Sequence, residues 1–377
     1  MPSILEPPAS TATTTLDFVA SVPLDLTNSL CFVGLADQKE GLDDFPVQTR
    51  ARMDPALRAE LDALLAFPGQ PGVLGALNDA LFLSPDPPAD FDALLRYVRE
   101  LPARAVPDGD IQSMQGLVLY ALQWRGATTA ALPAPADPRA AVEAAFAKGT
   151  GDDADVQPMS VAEALALFDE PERLRARLLL LLRRFYDEHY RADEERRFAC
   201  MRRSVGHHRQ LELRRREPAD IEALLSTLAP SGIACISSPI ASYSRFILLP
   251  SLDGGPYISV VDAPPICAVY YPCESQFRGA GPDDDDRTHR MALLYKALSD
   301  EQRLRILREL RRGELYAQEI VERTGVHQSV VSRHLSFLKA VGLVNVRRQN
   351  NMKFYSLNGE LREELRQCID AVLPASG

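Results

Sequence analysis

THRMALLYKALSDEQRLRILRELRRGELYAQEIVERTGVHQSVVSRHLSFLKAVGLVNVRRQNNMKFYSLN, residues Thr288–Asn358, is the stretch on which the fold turns. Ser299 and Gln302 have capping-box spacing: the hydroxyl accepts from the amide three residues ahead while the glutamine reaches back. The helix they open is expected to bury Leu304, Leu307 and Leu310. It should stop at Gly313, which can take the left-handed C′ conformation. Ala317–Thr324 reads as the next helix and Gly325 as the tight turn of a helix-turn-helix unit. Gln328–Val341 follows, with Val331, Leu335 and Leu338 at i, i+4 and i+7 turned to a core. Leu343–Val346 and Lys353–Leu357 read as a hairpin with its tip at Gln349-Asn350-Asn351, where asparagine tolerates left-handed backbone. The final helix, Glu360–Val372, carries Leu361, Leu365, Ile369 and Val372 on one stripe.

The chemistry of this stretch points to DNA. The outward side of Gln328–Val341 offers Gln328, Ser329, Ser332, Arg333 and Ser336, small or polar groups that let a helix approach base edges and phosphates. No acidic residue occurs from Gly325 to Val341. Arg347, Arg348 and Lys353 flank the hairpin tip, placed to reach phosphates or the minor groove. Charge distribution agrees. Residues 288–377 hold 15 Lys and Arg against 10 Asp and Glu, a net +5, which leaves −15 on residues 1–287 of a chain whose total is −10. A basic module on an acidic body confines contact with a polyanion to one end.

ALSDEQRLRIL (Ala297–Leu307), GELYAQEI (Gly313–Ile320) and HQSVVSRHLSFLKAVGLV (His327–Val344) resemble the winged helix-turn-helix of the ArsR/SmtB regulators. The resemblance covers the last 85–90 residues. It implies a DNA-reading helix that includes His327, Ser332, Arg333 and His334, and a dimer built on the helices around Arg290–Ala297 and Glu360–Val372. It also exposes departures. Arsenic-sensing members carry two cysteines where this chain has Tyr316 and Gln318. Zinc-sensing members use carboxylates and histidines of the last helix, and Glu360–Gly377 has no histidine. Neither ligand set is available here, so no metal site or cofactor is expected.

The 287 residues before the module are less informative. Residues 1–15 are expected to lack fixed structure. Residues 16–232 read as a mainly helical sensor or dimerisation body. Asp54-Pro55 opens a helix with Leu57, Leu61, Leu64 and Leu65 on one face, and Asp90–Leu101 repeats the form with Phe91, Leu94, Leu95 and Val98. SPDPP (Ser84–Pro88) and LPAPADP (Leu132–Pro138) break the pattern. Ser160–Asp169 and Glu172–Glu195 read as helices. The arginine-rich Arg196–Arg216 reads as a solvated, ion-paired face. Residues 233–278 are expected to add a small antiparallel β meander of Ser244–Leu249, Tyr257–Val261 and Ile266–Tyr271, with Gly254-Gly255 in a turn. Residues 279–287 read as an acidic linker before the 288–377 module. The fold class that follows is α+β.

Six scattered cysteines without a CxxC pair read as reduced core residues. The pair His207-His208 has no ligand spacing around it. No signal peptide and no apolar run of membrane-crossing length occur, so the cytoplasm is the expected compartment. No nucleophile elbow, P-loop, HExxH or Rossmann glycine pattern appears, so no catalytic residue is assigned. The leading expectation is a homodimeric repressor of a bacterial operon. Its partners would be operator DNA, a second copy of the chain and a small-molecule effector entering through the body, with no membrane. The alternatives are an N-terminal enzyme tethered to a regulatory winged helix, and a winged helix used for protein contact.

Overall fold

The computed structural model describes residues 14–65, 72–104, 111–123, 160–212, 218–228, 238–273, 286–349, 352–359 and 361–372, with residues 140, 143 and 236 besides. The expectations for residues 1–13, the break at Leu132–Pro138, linker residues 279–285 and the tip Asn350-Asn351 lie outside the described residues. The architecture is α+β. A mainly helical body and a winged module each enclose their own apolar cluster.

The body runs β1 (Thr15–Phe18), α1 (Val22–Leu35), α2 (Asp44–Arg52), α3 (Pro55–Leu65), α4 (Gly72–Leu83), α5 (Phe91–Glu100) and α6 (Met114–Gln123). It continues with α7 (Val161–Asp169), α8 (Pro171–Phe185), α9 (Glu194–Glu212), α10 (Pro218–Leu228) and strands β2 (Arg245–Ser251), β3 (Val260–Ala263) and β4 (Ile266–Pro272). Helices α1 and α4 are apolar nearly all round, so both sit inside the bundle. The two amphipathic helices expected next to them form as read. Asp54 Oδ1 accepts from the Leu57 amide at 3.1 Å and Asp90 Oδ1 from the Ala93 amide at 2.7 Å. Their stripes Leu57-Leu61-Leu64-Leu65 and Phe91-Leu94-Leu95-Val98 are buried. Each such side chain contributes roughly 1.5–3 kcal/mol of burial.

Three expectations for the body are corrected. The single helix Glu172–Glu195 is broken: α8 ends at Phe185 and a π turn, Tyr186–Tyr190, intervenes before α9. The extra residue per turn re-phases the chain and brings Tyr190 fully inside. Secondly, Arg196–Arg216 is not one solvated face. Arg196 is exposed and pairs with Asp193, but Arg197 is 1% exposed. Its guanidinium donates to both carboxylate oxygens of Asp25 (2.8 and 3.0 Å), to both of Asp253 (3.0 and 2.6 Å) and to Ser29 Oγ (2.7 Å). Phe45 and Tyr190 lie against it at 4.7 and 5.1 Å. This one residue ties α9 to α1 and to the turn after β2.

Thirdly, the meander is a mixed sheet of order β1-β2-β4-β3. Only β3 and β4 pair antiparallel; β2 runs parallel to both β1 and β4. Central β2 is buried from Phe246 to Ser251, between the helical bundle and a second apolar cluster under α9 and α10. Burial on both faces gives the near-continuous apolar run that suits parallel pairing. Gly255 takes φ 54° in the expected turn. His208 is buried, stacked on Phe18 with centroids 5.4 Å apart. Cys200, Cys267 and Cys273 are buried free thiols and Cys31 is half-buried. No helix among the described residues is long and apolar enough to cross a membrane.

The module follows as α11 (Asp286–Leu298), α12 (Glu301–Leu310), β5 (Leu315–Tyr316), α13 (Ala317–Thr324), α14 (Gln328–Ala340), β6 (Val344–Gln349), β7 (Met352–Leu357) and α15 (Leu361–Val372). Asp286 and Arg287, read as linker, open α11. The cap of α12 is Asp300, whose Oδ1 accepts from the Arg303 amide at 2.9 Å; Ser299 instead donates to the Lys296 carbonyl. Its inward phase is therefore Arg303, Ile306 and Leu310, and Leu304 is 41% exposed. Three antiparallel strands in the order β5-β7-β6 make the wing, with Arg347 opposite Phe354 and Arg348 opposite Lys353.

Candidate nucleic-acid interface

The reading unit is α13, a left-handed turn at Gly325 (φ 67°) and α14. Thr324 Oγ1 donates to the Ile320 carbonyl at 2.7 Å, Val326 is buried, and the chain turns sharply into α14. His327 caps α14: its Nδ1 accepts from the Ser329 amide at 3.3 Å. Val331, Leu335 and Leu338 are at most 1% exposed and bolt the helix to the module core. That phase turns Gln328, Ser329, Ser332, Arg333 and Ser336 outward. The outward side is free of carboxylates because the sequence supplies none from Gly325 to Val341.

His334 is corrected. It is 3% exposed, and its Nε2 lies 3.2 Å from Gln302 Oε1 at the start of α12. Burial lowers its pKa from the usual 6.5, favouring the neutral ring. It falls inside because it stands three residues after Val331 and four before Leu338, on the core stripe. His334 therefore holds α14 against α12 and presents nothing to a groove.

The wing is more engaged than the sequence suggests. Arg347 Nη2 is 2.6 Å from Glu314 Oε2, and the guanidinium stacks 5.0 Å from the Phe354 ring centre. The ion pair holds the Glu314 carboxyl below its usual range. An incoming phosphate would have to displace Glu314 from Arg347. Lys353 lies on β7 across from Arg348, so the hairpin carries three cations on one short ladder. Tyr316 and Gln318 do structural work: the Tyr316 ring meets Phe354 edge-on at 6.2 Å, and Gln318 bonds Glu322 at 3.5 Å.

One set of neighbours has no signal in the sequence. The connection between α1 and α2, residues 36–43, lies against α14. Lys39 Nζ donates to Ser336 Oγ at 2.9 Å. Glu40 bonds the buried Arg303 at 2.7 Å and stands 3.9 Å from Arg333. Tyr257 of the body packs on the module core, with Lys39 Nζ 5.2 Å from its ring centre. Two hundred and sixty-three residues separate Glu40 from Arg303, so no local pattern announces the pairing.

Comparison with known proteins agrees on the module. A family model described as "Bacterial regulatory protein, arsR family" matches residues 300–346. The chain is similar to the transcriptional activator HlyU of Vibrio cholerae, 39% identical over 69 residues, covering 18% of this chain and 64% of that protein. It is 33% identical over 101 residues to the HTH-type transcriptional regulator KmtR of Mycobacterium tuberculosis, 26% of this chain and 76% of the relative. The arsenical resistance operon repressor of Staphylococcus xylosus matches at 34% over 82 residues, 22% and 79% respectively. The chain thus spans just under two thirds of HlyU and more than two thirds of the other two.

Proposed function

We propose, from the premise that this chain belongs to the bacterial arsR family of regulatory proteins, that it is a homodimeric repressor that sets α14 into the major groove of an operator. The observation that carries this reading is the outward side of α14, where Gln328, Ser329, Ser332, Arg333 and Ser336 stand together with no carboxylate of the same helix among them. Such a surface suits base edges and phosphates and suits little else. Arg347, Arg348 and Lys353 of the wing then hold the flanking backbone.

Tyr295 on α11 and Ile369 on α15 are large apolar side chains left 38% and 48% exposed. Both lie on the helices that would join two copies. A twofold dimer reads a pseudo-palindrome with half-sites about 10 bp apart, or a multiple of that. The signal enters through the body as a small molecule. It does not enter through thiolates near Tyr316 and Gln318 or imidazoles of the last helix, since those ligands are absent from the sequence.

Footprinting on genomic fragments tests the proposal, with Arg333→Ala measured on the protected site. Loss of roughly 1–3 kcal/mol, confined to one base position, is expected of a base contact. Binding by Arg333→Ala equal to wild type, or no protected fragment at all, would remove the DNA reading.

A further inference from the structure

We propose that residues 36–43 are a built-in competitor of DNA for α14, so that the body holds the reading helix closed until the strap is moved. The inference rests on the DNA reading above and concerns the regulation of that surface. A helix with its side chains is about 10–12 Å across, and the major groove about 12 Å wide, so a reading helix enters only with its outward side bare. Here that side is occupied at its C-terminal half. Lys39 takes the hydroxyl of Ser336, and Glu40 sets a carboxylate beside Arg333, where a phosphate or guanine would otherwise stand.

The strap is anchored from both directions. On the module, Glu40 bonds Arg303, which also donates to the carbonyls of Lys296 and Ala297 and lies over the Phe337 ring. On the body, the Gly255 amide donates to Asp43 at 2.8 Å and the Asp43 amide to the Asp253 carbonyl at 3.4 Å. Asp253 is itself held by Arg197. The fit is close: a Cβ on Gly41, at φ 80°, would stand 2.7 Å from the Phe337 ring. A ligand that reshapes the body around Asp253 therefore has a short covalent and hydrogen-bonded route to the strap.

The test uses full-length protein and the fragment recovered by footprinting, with affinity read by fluorescence anisotropy at fixed salt. Gly41→Ala adds a methyl group that collides with Phe337 and changes no charge. Lys39→Ala removes the bond to Ser336. Losing a cation should weaken DNA binding through counterion release, whereas opening the strap should strengthen it, so the two effects have opposite signs. If the closed form holds about nine-tenths of the free protein, each variant binds about tenfold tighter. Unchanged or weaker binding by both, with thermal midpoints near wild type, overturns the proposal.

Should Gly41→Ala fail to fold, Lys39→Ala at the surface carries the decision alone. Amide exchange adds a second reading: residues 36–43 should exchange faster when DNA is added, and unchanged protection counts against the strap. Arg333→Ala separates the two readings. If it abolishes binding while neither strap variant tightens it, only the strap proposal falls. If it leaves binding intact, the DNA reading falls and takes the strap with it.

Discussion

Replacing Arg197 by alanine should be among the most damaging single changes in the body. The guanidinium is 1% exposed and is the sole cation bonded to the buried carboxylates of Asp25 and Asp253, which lie 2% and 1% exposed. Even with Arg197 in place, burial raises the Asp25 carboxyl above its usual range. Alanine would strand two carboxylates, together with Ser29 and Tyr190, which also bond within the cluster. Removing one partner of a buried ion pair costs roughly 3–5 kcal/mol, and the lost faces against Phe45 and Tyr190 add to that. For a domain of this size the melting temperature should fall by roughly 10 °C, at about 2–4 °C per kcal/mol.

The assay is urea unfolding followed by circular dichroism at several pH values. In the variant, protonating the stranded carboxyls relieves the penalty, so the deficit against wild type should grow from pH 5 to pH 8. Adding Asp25→Asn and Asp253→Asn to Arg197→Ala should restore part of the loss. A deficit below about 1 kcal/mol, or one independent of pH, would refute the claim that Arg197 neutralises this cluster.

Other expectations concern single groups. Burial raises the Asp79 carboxyl to about 7, beneath a hydrogen bond from Tyr120. A folded pKa raised in this way gives stability that is present below the unfolded value of about 3.9 and lost as pH rises through about 7. Asp79→Asn should therefore raise the melting temperature at pH 8 more than at pH 5; the reverse order would contradict the assignment. His334 has the opposite sign: its lowered pKa gives stability that is full above about 6.5 and lost as pH falls through the folded value. The gap between wild type and His334→Gln should shrink from pH 7 to pH 5, and a constant gap would mean the ring stays neutral in both states. Gly325 has φ 67° and open space around its Cβ position, so Gly325→Ala should cost about 1 kcal/mol and Gly325→Asn less. Equal losses for the two would place the cost in packing instead.

Much of the module was legible because its signals are local. Val331, Leu335 and Leu338 fix the phase of α14 within one helix, and Gly325 fixes the turn beside it. The same local logic failed one helix earlier. Leu304 and Leu307 look like a stripe, but Ile306 and Leu310 serve equally well, and the choice depends on Arg303 finding a partner in Glu40. Arg197 failed for the same reason: its two aspartates sit 172 and 56 residues away. The mixed sheet was misread because β1 is a four-residue strand remote from its partner, whereas β3 and β4 are neighbours joined by a turn. Hairpins can be read from sequence; parallel neighbours have to be found in space. The strap on α14 combines both difficulties, a loop with no periodicity meeting a helix nearly three hundred residues on.

The strand Thr15–Phe18 has a consequence for how the protein is made. It pairs with Arg245–Leu248, and Thr14 bonds the Tyr243 carbonyl across 229 intervening positions. At about 5–20 residues per second, the ribosome delivers that partner roughly 10–50 s after the strand emerges. Meanwhile the helices from Val22 to Leu228 form around a sheet that has no middle, and a short β segment waits at the start of the chain. β2 then enters last, between β1 and β4, and shuts the body before the module is released. A shortened gene that starts after Phe18 would leave one side of β2 unpaired, turning a closed sheet into a template for self-association.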